Sequence, residues 1–136
     1  MKSFTLSSED GFTIPCYEWE IPNPKGFVQI IHGMGEHAGR YDWAANQLNK
    51  AGYHVVANDQ RGHGRAIKEI SGEMGEDGWI KSIKDAYKVN SFIRDISVNP
   101  KIFLLGHSMG SSLAIHYACL YGNSIDSLII SGPPGF

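Results

Sequence analysis

Lys101-Ile102-Phe103-Leu104-Leu105-Gly106-His107-Ser108-Met109-Gly110 is the stretch on which the rest of the chain turns. Its apolar run, closed by a glycine, reads as a strand buried on both faces. A helix is expected from about Ser108 to Tyr121, where Gly122 stops it. Between strand and helix lies Gly106-His107-Ser108-Met109-Gly110, a G-x-S-x-G motif in the context that gives it meaning. The serine has to project from a sharp turn, so the positions two before and two after it must be small. The helix that begins there points its positive end at the serine. That makes Ser108 a candidate nucleophile and the backbone N–H of Met109 a candidate donor to developing negative charge. The bland alternative is a glycine-rich strand–helix turn that happens to contain a serine.

Working outward, strands and helices alternate. Phe4 and Leu6 suggest a first short strand, Asp10-Gly11 a turn, and residues 12–21 a second, antiparallel strand. Pro15 in that segment suggests an edge position or a bulge. Phe27 to Ile31 and Tyr53 to Ala57 read as buried parallel strands. Tyr41, Ala44, Ala45 and Leu48 mark a helix between them. The glycine-rich segment 60–78 reads as loop. Trp79, Ile83 and Tyr87 mark a longer helix that ends before Asn99-Pro100. Ser127 to Ser131 is a last strand. The expected class is α/β, a doubly wound, mostly parallel sheet with helices on both faces. Active sites in such sheets form beyond the carboxyl ends of the strands.

Two further motifs fall at those ends. His32-Gly33-Met34-Gly35-Glu36-His37 follows the third strand, where the Met34 amide is placed to give a second donor to an oxyanion. Asp59-Gln60-Arg61-Gly62-His63-Gly64 follows the fourth strand. There a buried Arg and Asp are expected to pair and brace the site rather than act in it. The competing reading is a dinucleotide-binding Rossmann-type domain. Gly33-Met34-Gly35-Glu36-His37-Ala38 fits G-x-G-x-x-A, and Asp59 stands where a ribose-binding acid would. Against it, helical periodicity begins only near Tyr41, and the 106–110 motif is left unexplained.

Together the three motifs, at 32–41, 59–64 and 106–110 and in that order, resemble the monoacylglycerol lipase and lysophospholipase branch of the α/β-hydrolase fold. The resemblance covers essentially the whole chain. It implies a serine hydrolase of carboxylic, lipid-like esters, with Ser108 as nucleophile, Met34 and Met109 as the backbone oxyanion hole, and no metal or cofactor. It also exposes departures. Ala66 stands where family members usually have a serine, and Ser111 replaces a glycine after the elbow. The family's acid and histidine follow the serine on later strands. Here Asp126 and His116 are the only Asp and His after Ser108. His116 lies about 12 Å along the helix, and Asp126 precedes its strand. Residues 1–136 are therefore expected to be the N-terminal part of a single α/β-hydrolase domain. On that reading the chain is truncated after the sixth strand, with the lid, last strands, acid and base absent, and inactive alone. A non-catalytic binding module of the same fold is the remaining alternative.

Composition limits the other classes. The 136 residues are 42% hydrophobic and 19% charged, with a net charge of −2. This is a globular balance with no basic cluster for nucleic acid. No apolar run is long enough to span a bilayer, and the start lacks the apolar core of a secretory signal. Two cysteines, Cys16 and Cys119, fit a reducing cytoplasm and are expected to be small core residues. Trp19, Trp43 and Trp79 are expected to pack in the core or between helices. The histidines lack metal-site spacing. A small-molecule ester or lipid is the expected partner, with self-association, or pairing with a C-terminal remainder, through strand 127–131.

Overall fold

Apolar runs become strands and amphipathic runs become helices in the computed structural model, which describes residues 1–135. Strands β1 (Lys2–Ser7) and β2 (Thr13–Trp19) pair antiparallel. Strands β3 (Gly26–Ile31), β4 (Tyr53–Asn58), β5 (Ile102–His107) and β6 (Ser127–Ser131) run parallel to one another. The hairpin joins them through an antiparallel β2–β4 ladder, giving the order β1-β2-β4-β3-β5-β6.

Alternation along each central strand decides which helix covers which face. Val28 and Ile30 of β3 and Val55 and Ala57 of β4 meet Ala45 of α1 (Asp42–Lys50). The intervening Phe27 and Ile31 turn to the other face. There Ile83, Val89 and Ile93 of α2 (Gly78–Ile96) and Leu113 and Tyr117 of α3 (Met109–Tyr121) complete two clusters. The sheet is thus doubly wound, as expected. Each fully buried large aliphatic side chain contributes roughly 1.5–3 kcal/mol.

Several expectations are corrected. Pro15 is neither on the edge strand nor at a bulge: it pairs with Thr5 inside β2. Its carbonyl accepts from Asp59 N–H on the β4 side, just past the last β2–β4 pair at Cys16–Asn58. Its missing N–H faces that same side, where the Asp59 carbonyl accepts instead from the Asn58 side-chain amide at 3.2 Å. Trp43 is 75% exposed, whereas Trp19 is buried. Trp43 sits two positions from Ala45 on α1 and so faces away from the sheet. Trp79 is also partly exposed, where its indole N–H donates to His116 Nδ1. Cys16 is buried, but Cys119 lies on the outer side of α3; both are free. Segment 60–78 is loop apart from a 3₁₀ turn at Gly64–Ala66 and Gly78, which opens α2.

Candidate active site

The carboxyl ends of β3, β4 and β5 bring the three motifs together. Ser108 joins β5 to α3 with φ 54° and ψ −121°. A non-glycine residue held there stores roughly 1–3 kcal/mol of strain. The surroundings enforce it. Ser108 N–H donates to the Ser131 carbonyl of β6 at 2.9 Å, and Ser111 N–H donates to the Ser108 carbonyl at 2.9 Å. The Ser111 hydroxyl donates to that same carbonyl. Ser111 is thus a second tie on the turn, which sequence reading missed. The flanking glycines are needed because a Cβ on Gly106 would run into the Gly110 carbonyl, and one on Gly110 into the Ile31 carbonyl.

The 32–37 loop closes against this elbow. A Cβ on Gly33 would lie 3.1 Å from Ser108 Cβ. Glu36 N–H donates to the Gly33 carbonyl at 3.3 Å, and Gly35 takes φ +70° to complete the turn. In return, the Glu36 carboxylate accepts Gly33 N–H at 2.8 Å and the Tyr41 hydroxyl at 2.9 Å. Burial pushes the Glu36 carboxyl up, but these donors outweigh it and hold it below its ordinary value. Met34 points its side chain into solvent, 61% exposed. Its N–H donates to nothing among the described residues. The N–H of Met109, in the first turn of α3, has no intrahelical acceptor. A strained serine hydroxyl beside two unspent amides can attack a carbonyl carbon and receive the oxygen's charge.

His32 ties this loop to the next. Its Nε2 accepts Gln60 N–H at 2.9 Å, so its proton sits on Nδ1 and is donated to the Gly33 carbonyl at 2.8 Å. Burial lowers its pKa from the ordinary value of 6.5. The 59–64 segment braces the site, but not through an Asp59–Arg61 pair. The Asp59 carboxylate accepts from Ala38 N–H, Arg65 N–H and Tyr17 OH. Gly64, at φ +52°, leaves room for that carboxylate. Arg61 instead donates through Nε to Asp85 of α2 at 2.7 Å and through Nη1 to Asp10 at 2.7 Å. The Arg61 side chain is 8% exposed and that of Asp85 is 2% exposed. Asp59 is therefore spent inside the protein and is not presented to a ribose.

The Asp and His that follow the serine lie apart from it, and its neighbour His107 turns its ring to β6. His116 accepts from Trp79, His107 Nδ1 faces the Ser131 hydroxyl at 3.2 Å, and Asp126 accepts Ile102 N–H at the amino end of β5. Among the described residues no hydrogen bond joins a histidine to Ser108, and no group of three metal-ligating side chains gathers. A cavity of about 290 Å³, bounded by Ile30, Tyr41, Ala44, Leu105, His107 and Ser131, lies on the α1 face beside the elbow. No helix among the described residues is long and apolar enough to cross a membrane.

Comparison with known proteins returns the same frame. Residues 22–135 match the family model described as serine aminopeptidase, S33. The chain is 37% identical to a monoglyceride lipase homolog of Monkeypox virus, covering 98% of this chain and 48% of that protein. It is 35% identical to phospholipase YtpA of Bacillus subtilis, covering 86% of this chain and 44% of that protein. It superposes on a carboxyl esterase of Bacillus coagulans with a TM-score of 0.87 and 30% identity, over 95% of this chain and 43% of that one. The chain spans less than half the length of each.

Proposed function

The chain belongs to the serine aminopeptidase S33 family of hydrolases, and from that membership we propose that it is the N-terminal part of one α/β-hydrolase domain that cleaves carboxylic esters. Ser108 is the nucleophile in this reading. Its Oγ attacks the ester carbonyl carbon, and the carbonyl oxygen takes up charge between the N–H groups of Met34 and Met109. Collapse expels the alcohol and leaves an acyl-serine ester, which water then hydrolyses. The attack needs a proton acceptor, which we assign, with its orienting acid, to sequence beyond residue 136. The observation that bears this reading is the strained Ser108 turn set against two unspent amides.

The substrate class is an amphipathic acyl ester, a monoacylglycerol or a lysophospholipid. The names borne by the viral and Bacillus subtilis relatives support it. A cytoplasmic setting fits the two free cysteines. In the protein expressed from its complete reading frame, Ser108→Ala is expected to abolish hydrolysis of p-nitrophenyl esters and monoacylglycerol while the melting temperature stays close to the wild type. Retained turnover in that variant overturns the assignment.

A further inference from the structure

We infer that His32 is a positioning residue for the oxyanion hole: its Nδ1–H holds the Gly33 carbonyl and thereby fixes the direction of the Met34 N–H. The inference rests on the reading of Met34 as an oxyanion donor and deepens it. The Gly33 carbonyl and the Met34 N–H belong to one peptide group. That group is planar and trans, so the two point in opposite directions. Whatever holds the carbonyl therefore aims the N–H. Two donors hold it, and they differ in quality. Glu36 N–H reaches it at 3.3 Å across the turn, whereas His32 Nδ1 reaches it at 2.8 Å.

The ring is itself fixed. His32 is 1% exposed and packs against the His63 ring at 5.3 Å between centroids. Its second nitrogen is engaged by Gln60 N–H, which can only donate. That bond selects the Nδ1–H tautomer, the one able to hold the Gly33 carbonyl. Gly33 is also anchored on its other side, through its N–H to the Glu36 carboxylate at 2.8 Å. A buried histidine could equally be no more than a strut between the β3 and β4 loops. The two roles use different nitrogens. The strut works through Nε2 and Gln60, the aiming through Nδ1 and Gly33.

Substitution separates them. In His32→Asn the amide nitrogen stands near the Nδ1 position and keeps a donor for Gly33, while the bond to Gln60 is lost. In His32→Gln the amide reaches the Nε2 position and keeps the Gln60 contact, while the Gly33 donor is lost. With the protein from its complete reading frame and a p-nitrophenyl ester, His32→Gln and His32→Ala are expected to lose about 10²-fold in kcat, with KM within about threefold. His32→Asn is expected to recover to within about tenfold of wild type. Equal losses in Asn and Gln, or the larger loss in Asn, overturn the proposal. Should the variants not fold, nitrogen NMR of the wild-type histidines decides it. A scalar coupling across the hydrogen bond from His32 Nδ1 to the Gly33 carbonyl carbon supports the aiming role, and its absence, or a proton on Nε2, overturns it. A wild type that neither hydrolyses esters nor labels at Ser108 would instead overturn the nucleophile reading, which the tautomer measurement leaves separate.

Discussion

At Met34 the side chain and the amide can be told apart by substitution. The side chain stands in solvent, so Met34→Ala is expected to change ester turnover less than about threefold. Met34→Pro removes the N–H, and loss of one oxyanion donor costs roughly 10²–10³ in kcat. Similar kcat values for the two variants would show that the amide is not what matters. His32 adds a pH signature. Its pKa is lowered chiefly by burial, against the bond to the Gly33 carbonyl, which raises it; His63 lowers it further while Asp59 and Glu36 raise it. Below its ordinary 6.5 the unfolded chain therefore binds a proton that the folded chain refuses. Stability then rises with pH between the lowered value and 6.5. Urea titrations at pH 5.5 and 7.5 are expected to differ less in His32→Asn than in the wild type. The residues of the proposed site were partly legible. Met34, Ser108 and Met109 could be named from motif and spacing. The Ser111 hydroxyl bond and the choice of His32 tautomer could not, because both depend on which groups the turns bring face to face.

Among the elements, α2 is tied to the β1–β2 turn through one buried guanidinium. Arg61 bridges Asp85 of α2 and Asp10 of the turn, with Ser8 Oγ as a further acceptor at 3.0 Å. Burial weakens the hold on its proton, but Asp10 and Asp85 together outweigh it and raise its pKa. Asp85→Ala leaves that charge buried with only the partly exposed Asp10, and is expected to cost about 3 kcal/mol in chemical denaturation. Asp10→Ala is expected to cost less. A melting curve for Asp85→Ala that overlays the wild type would show that Arg61 does not depend on the pair. The strands and helices themselves were readable, because apolar runs and helical spacing are local properties. Arg61's partners were not: they lie 24 and 51 residues away. The expected Asp59–Arg61 pair failed for a geometric reason, since two backbone amides and a tyrosine hydroxyl already surround Asp59.

Across the whole molecule, the sheet is well covered except at one side. Along β5, Ile102 and Leu104 are buried under α2 and α3, while Phe103 and Leu105 are only half-buried, because α1 lies over β3 and β4. Beyond them, among the described residues, β6 pairs with β5 alone, and Ile129 and Ile130 are 43% and 45% exposed. An apolar edge with unpaired backbone groups invites another strand. Residues 1–136 expressed alone are expected to self-associate, and Ile129→Lys to reduce the mass seen by light scattering. A monodisperse wild-type monomer would contradict this. The same 136 residues are expected to give only trace esterase activity, since no histidine among the described residues is hydrogen-bonded to Ser108. The fold class followed from the sequence alone, whereas the half-open face could be seen only once the helices were placed. The most direct test of the central claim is covalent. The protein from its complete reading frame is treated with a fluorophosphonate, digested and mapped by mass spectrometry. The expected result is one phosphonylated peptide modified at Ser108 and lost in Ser108→Ala. Labelling at another residue, or no labelling of a folded wild type, would contradict it.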